Sequence, residues 1–219
     1  MSEEGWVELT IDRKRVRVKE GEKILWAALD EGIEIPHLCA IREANPALGT
    51  CRLCLVEVEG KGVVASCVEP VEEGMVVHTD GERSRALRKR AMELLLAYHP
   101  LECKDCVKKG KCEFLKLALS MKVKKPKNFR PFLREEMPVD DSHPLIIFDA
   151  NKCILCGKCV WVCKDKVKQV PFEFAYRGYK MGLTTFLGKP LSETDCTGCG
   201  ECVKVCPVGA LYFKEDKRE

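Results

Sequence analysis

At 219 residues the chain has the length of one or two ordinary domains, and its 37 Lys and Arg against 34 Asp and Glu leave a formal net charge of +3. That balance is too slight to argue for nucleic acid, and charged residues of mixed sign, 32% of the chain, read as a solvated surface. No apolar run approaches the roughly 18–20 residues that span a bilayer, the longest candidate being Met92 to Tyr98, and Met1-Ser2-Glu3-Glu4 carries no apolar leader. A cytoplasmic chain is expected, meeting a membrane only through a partner.

In chain order, residues 6–11 and 15–19 alternate apolar and polar around Asp12-Arg13-Lys14, the pattern of a β-hairpin. Glu22 to Glu31 places Ile24, Leu25, Ala28 and Leu29 at helical spacing and stops at Gly32. Leu53 to Glu59 and Met75 to His78 read as further strands. A mixed sheet crossed by one helix, with cysteines on the loops between, is a β-grasp arrangement. Thr79-x-x-Glu82 reads as a capping box opening a helix with Leu87, Ala91, Leu94, Leu95 and Tyr98 on one face. Pro100 stops that helix, so His99 stands at its end. Cys112 to Met121 suggests another helix, and residues 122–138, basic and with three prolines, a connector. From Asp140 to Tyr212 runs an internal repeat with a period of 43 residues, Cys153 to Cys196; its spacer, Lys164 to Asp195, has room for an added hairpin or helix. The expectation is an α+β chain in three domains: 1–79, 80–138 and 139–219.

The 15 cysteines are an odd number without an export signal, which argues against a disulfide scaffold. They fall into ligand sets. Cys39, Cys51, Cys54 and Cys67 form C-x11-C-x2-C-x12-C, and Cys103, Cys106 and Cys112 follow His99. Two copies of C-x2-C-x2-C-x3-C come next, Cys153, Cys156, Cys159, Cys163 and Cys196, Cys199, Cys202, Cys206, the second ending in Pro207. This double run is the bacterial ferredoxin signature, in which each motif's fourth cysteine serves the other cluster. By that rule one 4Fe-4S cluster takes Cys153, Cys156, Cys159 and Cys206, and another takes Cys163, Cys196, Cys199 and Cys202. Structural zinc also uses C-x2-C, but as two separated pairs, not three thiolates in one loop with a distant fourth. Gly157, Gly198 and Gly200 suit backbone curling closely around a cubane.

The first set has a single C-x2-C pair and by itself leaves zinc or buried thiols open; beside a ferredoxin module a 2Fe-2S centre is the better reading. A lone histidine is usually no ligand. His99 differs because three nearby cysteines are one donor short of a 4Fe-4S cluster and it is the ligand-type residue at a helix end beside them. Neutral imidazole in place of thiolate would make that cluster less negative and raise its potential. His37, His78 and His143 have no such companions. The expected cofactors are one 2Fe-2S and three 4Fe-4S clusters. No G-x-G-x-x-G after a strand, no Walker loop and no acid–base constellation is present, so no substrate site of its own is expected.

Several stretches are familiar. Ile35-Pro36-His37-Leu38-Cys39, Gly49-Thr50-Cys51-Arg52-Leu53-Cys54-Leu55-Val56-Glu57-Val58 and Pro70-Val71-Glu72-Glu73-Gly74-Met75 resemble the 2Fe-2S domain of the complex I large peripheral subunit. The same domain opens iron-only hydrogenases and the small diaphorase subunit of bidirectional NAD-linked hydrogenases. His99-Pro100-Leu101-Glu102-Cys103-Lys104-Asp105-Cys106 with Gly110-Lys111-Cys112 is similar to their histidine-ligated motif, and Asn151-Lys152-Cys153-Ile154-Leu155-Cys156-Gly157-Lys158-Cys159 to their next one. Cys163 and the complete second motif resemble iron-only hydrogenases and some formate dehydrogenase large subunits more than complex I. No catalytic hydrogenase or molybdopterin domain precedes Glu219, so the resemblance implies the electron-input half of such enzymes as a separate polypeptide.

The resemblance implies an electron-transfer subunit of an NAD(P)-linked complex, docked between a flavin/NAD(P)-binding diaphorase-type subunit and a further catalytic subunit. That subunit could be a hydrogenase, a formate dehydrogenase or an electron-bifurcating reductase. Two alternatives remain. A free polyferredoxin carrier tends to be strongly acidic, unlike this chain, and a zinc-stapled interaction module rests only on the basic stretches Arg83 to Arg90 and Lys122 to Arg134.

Overall fold

The computed structural model describes residues 5–125 and 137–217. The chain folds into two compact units, Met1–Met92 and Glu93–Glu219. Most of the connector expected at 122–138, with Phe129 and Phe132, lies outside the described residues.

In the first unit β1 (Trp6–Ile11) and β2 (Lys14–Lys19) pair antiparallel from Trp6↔Lys19 to Ile11↔Lys14. The linking pair Asp12-Arg13 has φ of 47° and 71°, the left-handed backbone that two-residue hairpins require. Alternation sends Leu9, Ile11 and Val16 inward. There they meet Ile24, Leu25, Ala27 and Ala28 of α1 (Ile24–Asp30). Gly32, at φ 74°, ends that helical run. Strands β3 (Leu55–Val58), β4 (Gly62–Ala65) and β5 (Val76–His78) complete a five-stranded sheet in the order β2-β1-β5-β3-β4. The β1–β5 pair is parallel and the other pairs antiparallel. The mixed sheet with one helix is the expected arrangement, joined by β4, whose residues Gly62-Val63-Val64-Ala65 are all half-buried and show no alternation to read.

Helix α2 (Glu82–Tyr98) begins differently from the capping-box expectation. The Thr79 hydroxyl donates to the Asp12 carboxylate, and the Thr79 amide donates to it at 2.8 Å. The helix start is served instead by Glu57, whose carboxylate accepts from the Ser84 amide at 3.1 Å. The buried stripe is also shifted. Ser84, Arg88, Met92 and Leu96 are buried at four-residue spacing, whereas Leu87 and Leu94 are exposed. Arg88 is accommodated by donating to the Thr79 carbonyl at 2.7 Å and to Asp80 at 3.0 Å. Polar side chains with built-in partners therefore displaced the face that hydrophobicity alone suggested.

In the second unit α3 (Glu113–Ser120) starts at Cys112, whose sulfur accepts from the Leu115 amide at 3.4 Å. Strand β6 (Ile146–Phe148) pairs antiparallel with β9 (Leu211–Phe213). Between them lie α4 (Lys158–Trp161), continuing into a wide π-wound turn over Val162–Val167, and α5 (Glu201–Val205). The 43-residue repeat extends to the backbone. Leu155 and Gly198 sit at matching positions with φ of 56° and 72°, and Gly157 and Gly200 with 79° and 75°. A side-chain carbon at Gly200 would come within 2.3 Å of the Phe213 ring, so both conformation and space demand glycine there. The long spacer forms a hairpin, β7 (Glu173–Ala175) against β8 (Gly182–Thr184). Its far end is pinned where the Asp140 carboxylate accepts from the Leu191 amide at 2.7 Å. Among the described residues no helix is long and apolar enough to cross a membrane.

Candidate metal centres

The first cysteine set sits at the edge of the β-grasp core. Cys51-Arg52-Leu53-Cys54 turns tightly before β3, with Arg52 at φ 56°, an uncommon left-handed non-glycine residue. This turn directs the Cys51 amide at the Cys39 sulfur, 3.4 Å away, and the two sulfurs also lie 3.4 Å apart. Ser66 ties the other pair: its amide and hydroxyl both donate to the Cys54 carbonyl, at 3.0 and 2.7 Å, next to Cys67. All four thiols are buried, none more than 5% exposed. Hydrogen bonds from Cys51 and Cys67 pull the Cys39 thiol far down, and the complementary interactions push Cys51 and Cys67 up. Cys54 is lowered to about 7, chiefly by Cys67. Four crowded thiols cannot all ionise unaided, and a metal-bearing group would supply the compensating positive charge while releasing their protons.

The second set surrounds a cavity of about 260 Å³ whose walls include His99, Cys103, Cys106, Cys112, Lys152 and Gly209. His99 follows α2 directly and is buried. Its Nδ1 lies 3.1 Å from the Lys152 carbonyl oxygen. A carbonyl only accepts, so Nδ1 carries the proton and donates. Desolvation lowers the imidazole pKa to about 4, which keeps the ring neutral near pH 7 and leaves Nε2 with a free lone pair. Phe114 of α3 packs edge-on against the ring at 5.3 Å and restrains it. That is the donor state and second-partner arrangement of a metal-binding histidine. Gly209 approaches so closely that a Cβ there would stand 3.1 Å from the Cys106 sulfur.

A smaller cavity is lined by Cys153, Cys156, Cys159 and Cys206, together with Phe174 and Leu183 from the β7–β8 hairpin. Burial raises the Cys156 thiol to about 12 and Cys159 well upward. The Leu155 amide donates to the Cys153 sulfur at 3.4 Å, a contact opened by Leu155's left-handed backbone. Cys163 lies on the π-wound turn and hydrogen-bonds through its thiol with Cys202, which lowers Cys163 and raises Cys202. Cys196 feels the charges of Cys163 and Cys199 after the larger upward push of burial. Cys199 is exposed. The structure thus brings Cys206 to the first motif and Cys163 to the second.

All sixteen expected donors fall among the described residues. Among those residues no three His, Cys, Asp or Glu side chains form a group that could hold a single metal ion. Cluster ligands are spread over several irons, so they need not meet at one point. Soft sulfur donors grouped in fours, with amides aimed at the sulfurs of Cys39, Cys112 and Cys153, fit iron–sulfur clusters. Lys152, Asp149, Phe174 and Leu183 also belong to these surroundings and were not foreseen. Lys152 is far from His99 in sequence, and nothing local marks it.

Comparison with known proteins agrees along the chain. Residues 5–82 match a 2Fe-2S iron-sulfur cluster binding domain, 88–127 the NADH-ubiquinone oxidoreductase-G iron-sulfur binding region, and 143–212 the ferredoxin-like domain of NADH-quinone oxidoreductase subunit 3. An NADH-quinone oxidoreductase subunit of Rhizobium meliloti is 36% identical over 94% of this chain and 24% of its own length. The HndD subunit of the NADP-reducing hydrogenase of Solidesulfovibrio fructosivorans is 38% identical over 94% of this chain and 36% of its own. The chain therefore spans between a quarter and about a third of these curated relatives. A chain in the crystal structure of an NAD+-reducing [NiFe]-hydrogenase in the H2-reduced state superposes with a TM-score of 0.85 at 33% identity, covering 95% of this chain and 87% of that one. With 2Fe-2S and 4Fe-4S binding domains along the chain and a near full-length structural match, the chain belongs to the family of iron–sulfur electron-transfer subunits found in NADH-quinone oxidoreductases and NAD(P)-linked hydrogenases.

Proposed function

We propose that the chain relays electrons between a flavin- and NAD(P)-binding subunit and a second catalytic subunit, through one 2Fe-2S and three 4Fe-4S clusters. Its three cluster-binding domains are 1–79, 80–138 and 139–219. The 2Fe-2S site is Cys39, Cys51, Cys54 and Cys67; the histidine-ligated 4Fe-4S site is His99, Cys103, Cys106 and Cys112. The ferredoxin-type sites are Cys153, Cys156, Cys159 with Cys206, and Cys163 with Cys196, Cys199, Cys202. The complex works in the cytoplasm and touches a membrane, if any, through its other subunits.

The observation that carries this reading is the convergence of His99, Cys103, Cys106 and Cys112 on one cavity, with His99 neutral and its proton fixed on Nδ1. Bound iron–sulfur clusters would supply one-electron carriers whose potentials follow cluster type, charge, hydrogen bonding and exposure. The polypeptide's part is to present deprotonated sulfur, to hold His99 in one tautomer and to exclude water. Burial does the last most fully at the first set. At the fourth, the exposed Cys199 leaves the site open to a partner's approach. Relatives named for NADH–quinone, NADP–hydrogen and NADPH–Fe(3+) reactions support coupling of a nicotinamide cofactor to a second redox partner.

The test is reduction by nicotinamide. The cluster-loaded, flavin-free chain should be reduced rapidly by a low-potential chemical donor and not by NADH or NADPH. Adding a flavin-bearing diaphorase subunit should enable nicotinamide reduction. Rapid bleaching by NAD(P)H without that subunit would overturn the assignment.

A further inference from the structure

Resting on the cluster reading above, we propose that Lys152 is a positioning residue that raises the reduction potential of the histidine-ligated site, its carbonyl orienting His99 and its positive charge acting on the same cavity. Lys152 lines the wall with His99, Cys103, Cys106 and Cys112. Its carbonyl oxygen accepts the His99 Nδ1 proton at 3.1 Å, which fixes the ring from the main chain. Its ammonium is held 2.8 Å from the Asp149 carboxylate, with the lysine side chain 19% exposed and the aspartate 7%. Asp149 is itself immobilised, accepting from the amide and the side-chain nitrogen of Asn151, each at 3.1 Å.

Lys152 lies on the cavity wall and Asp149 does not. At His99 the influence of the lysine charge exceeds that of the aspartate, and Lys152 also senses Cys106. The lysine stem runs beside Gly209, where a Cβ would be 3.7 Å from Lys152 Cδ and 3.1 Å from the Cys106 sulfur. A half-buried cation beside a site that gains one negative charge on reduction favours the reduced state, more strongly than a solvated one would. The Lys152 cation, held by Asp149 beside this cavity, therefore makes that site easier to reduce. Asp149 limits the effect by partial neutralisation.

The experiment is an EPR-monitored redox titration of the cluster-loaded full chain, following the resonance that His99→Ala abolishes. Lys152→Met keeps the carbonyl and loses the charge; its midpoint should fall, with reduction at a fixed poise about tenfold less favourable, equivalent to about 59 mV for one electron. Lys152→Arg should stay near the native midpoint. Asp149→Asn should move it the opposite way, upward, because the lysine loses its counter-charge. Loss of packing alone has no reason to produce shifts of opposite sign. A Lys152→Met protein whose resonance persists at an unchanged or higher midpoint overturns the proposal. Should that variant lose the resonance, an unchanged or lower midpoint in Asp149→Asn overturns it. A His99→Ala protein that keeps every resonance instead overturns the ligand assignment, and this proposal with it.

Discussion

Cys206→Ala is expected to abolish the 4Fe-4S cluster built on Cys153, Cys156 and Cys159, forty or more residues away in sequence, while sparing the one nearest to it. The Cys206 thiol shares a cavity with those three cysteines. Cys163 is instead hydrogen-bonded to Cys202. Losing a thiolate from a four-ligand cubane removes about a quarter of its anchoring and opens one iron to solvent. Because insertion of the group and ordering of its loops are linked, the effect should extend to the β6–β9 pair, since Leu211 of β9 lines the same cavity. The measurement is iron content with EPR of the reduced protein. Iron should drop by up to about four per chain, with the signal of the Cys163, Cys196, Cys199 and Cys202 site retained. The reverse pattern would mean that each motif binds its own cluster.

His99→Ala should have a comparably large and separable effect. Its ring donates from Nδ1 to the Lys152 carbonyl and packs against Phe114, which hold it in place as the proposed fourth donor. Removing the buried ring also leaves a hole costing about 3–5 kcal/mol by analogy with large aromatic truncations. One 4Fe-4S signal should vanish or convert to a three-iron form, and the other three should persist, since no ligand is shared. His99→Cys should restore the cluster at a lower potential, because a thiolate adds negative charge that imidazole lacks. Intact iron content and unaltered resonances in His99→Ala would show that the histidine is not a ligand.

The groupings proposed as ligand sets could be read from the sequence because a cluster-binding loop must turn within a few residues. Cys51-Arg52-Leu53-Cys54 and Cys153-Ile154-Leu155-Cys156 must each turn within four residues, and in both an interior non-glycine residue adopts φ 56°. The hairpin, the first helix and the β-grasp sheet followed from alternation and helical spacing, with β4 missing because Gly62 to Ala65 is uniformly half-buried. The start and face of α2 were misread for one reason. The side chains that decide them are polar: Asp12 takes Thr79 and Glu57 takes the Ser84 amide across long sequence separations, and Arg88 is buried against Thr79 and Asp80 just before the helix. The Lys152–His99 link is invisible for the same reason, joining residues 53 apart through a backbone oxygen that no side-chain pattern encodes. Phe174 and Leu183 wall the third site from a hairpin that the spacer's length announced without saying what it would cover.

The most direct measurement is metal and sulfide analysis of the anaerobically prepared chain. Sixteen donors in four sets, one of two irons and three of four, predict about fourteen irons per chain, a matching amount of acid-labile sulfide and little zinc. About four zinc ions per chain with negligible iron would contradict the electron-relay account at its foundation.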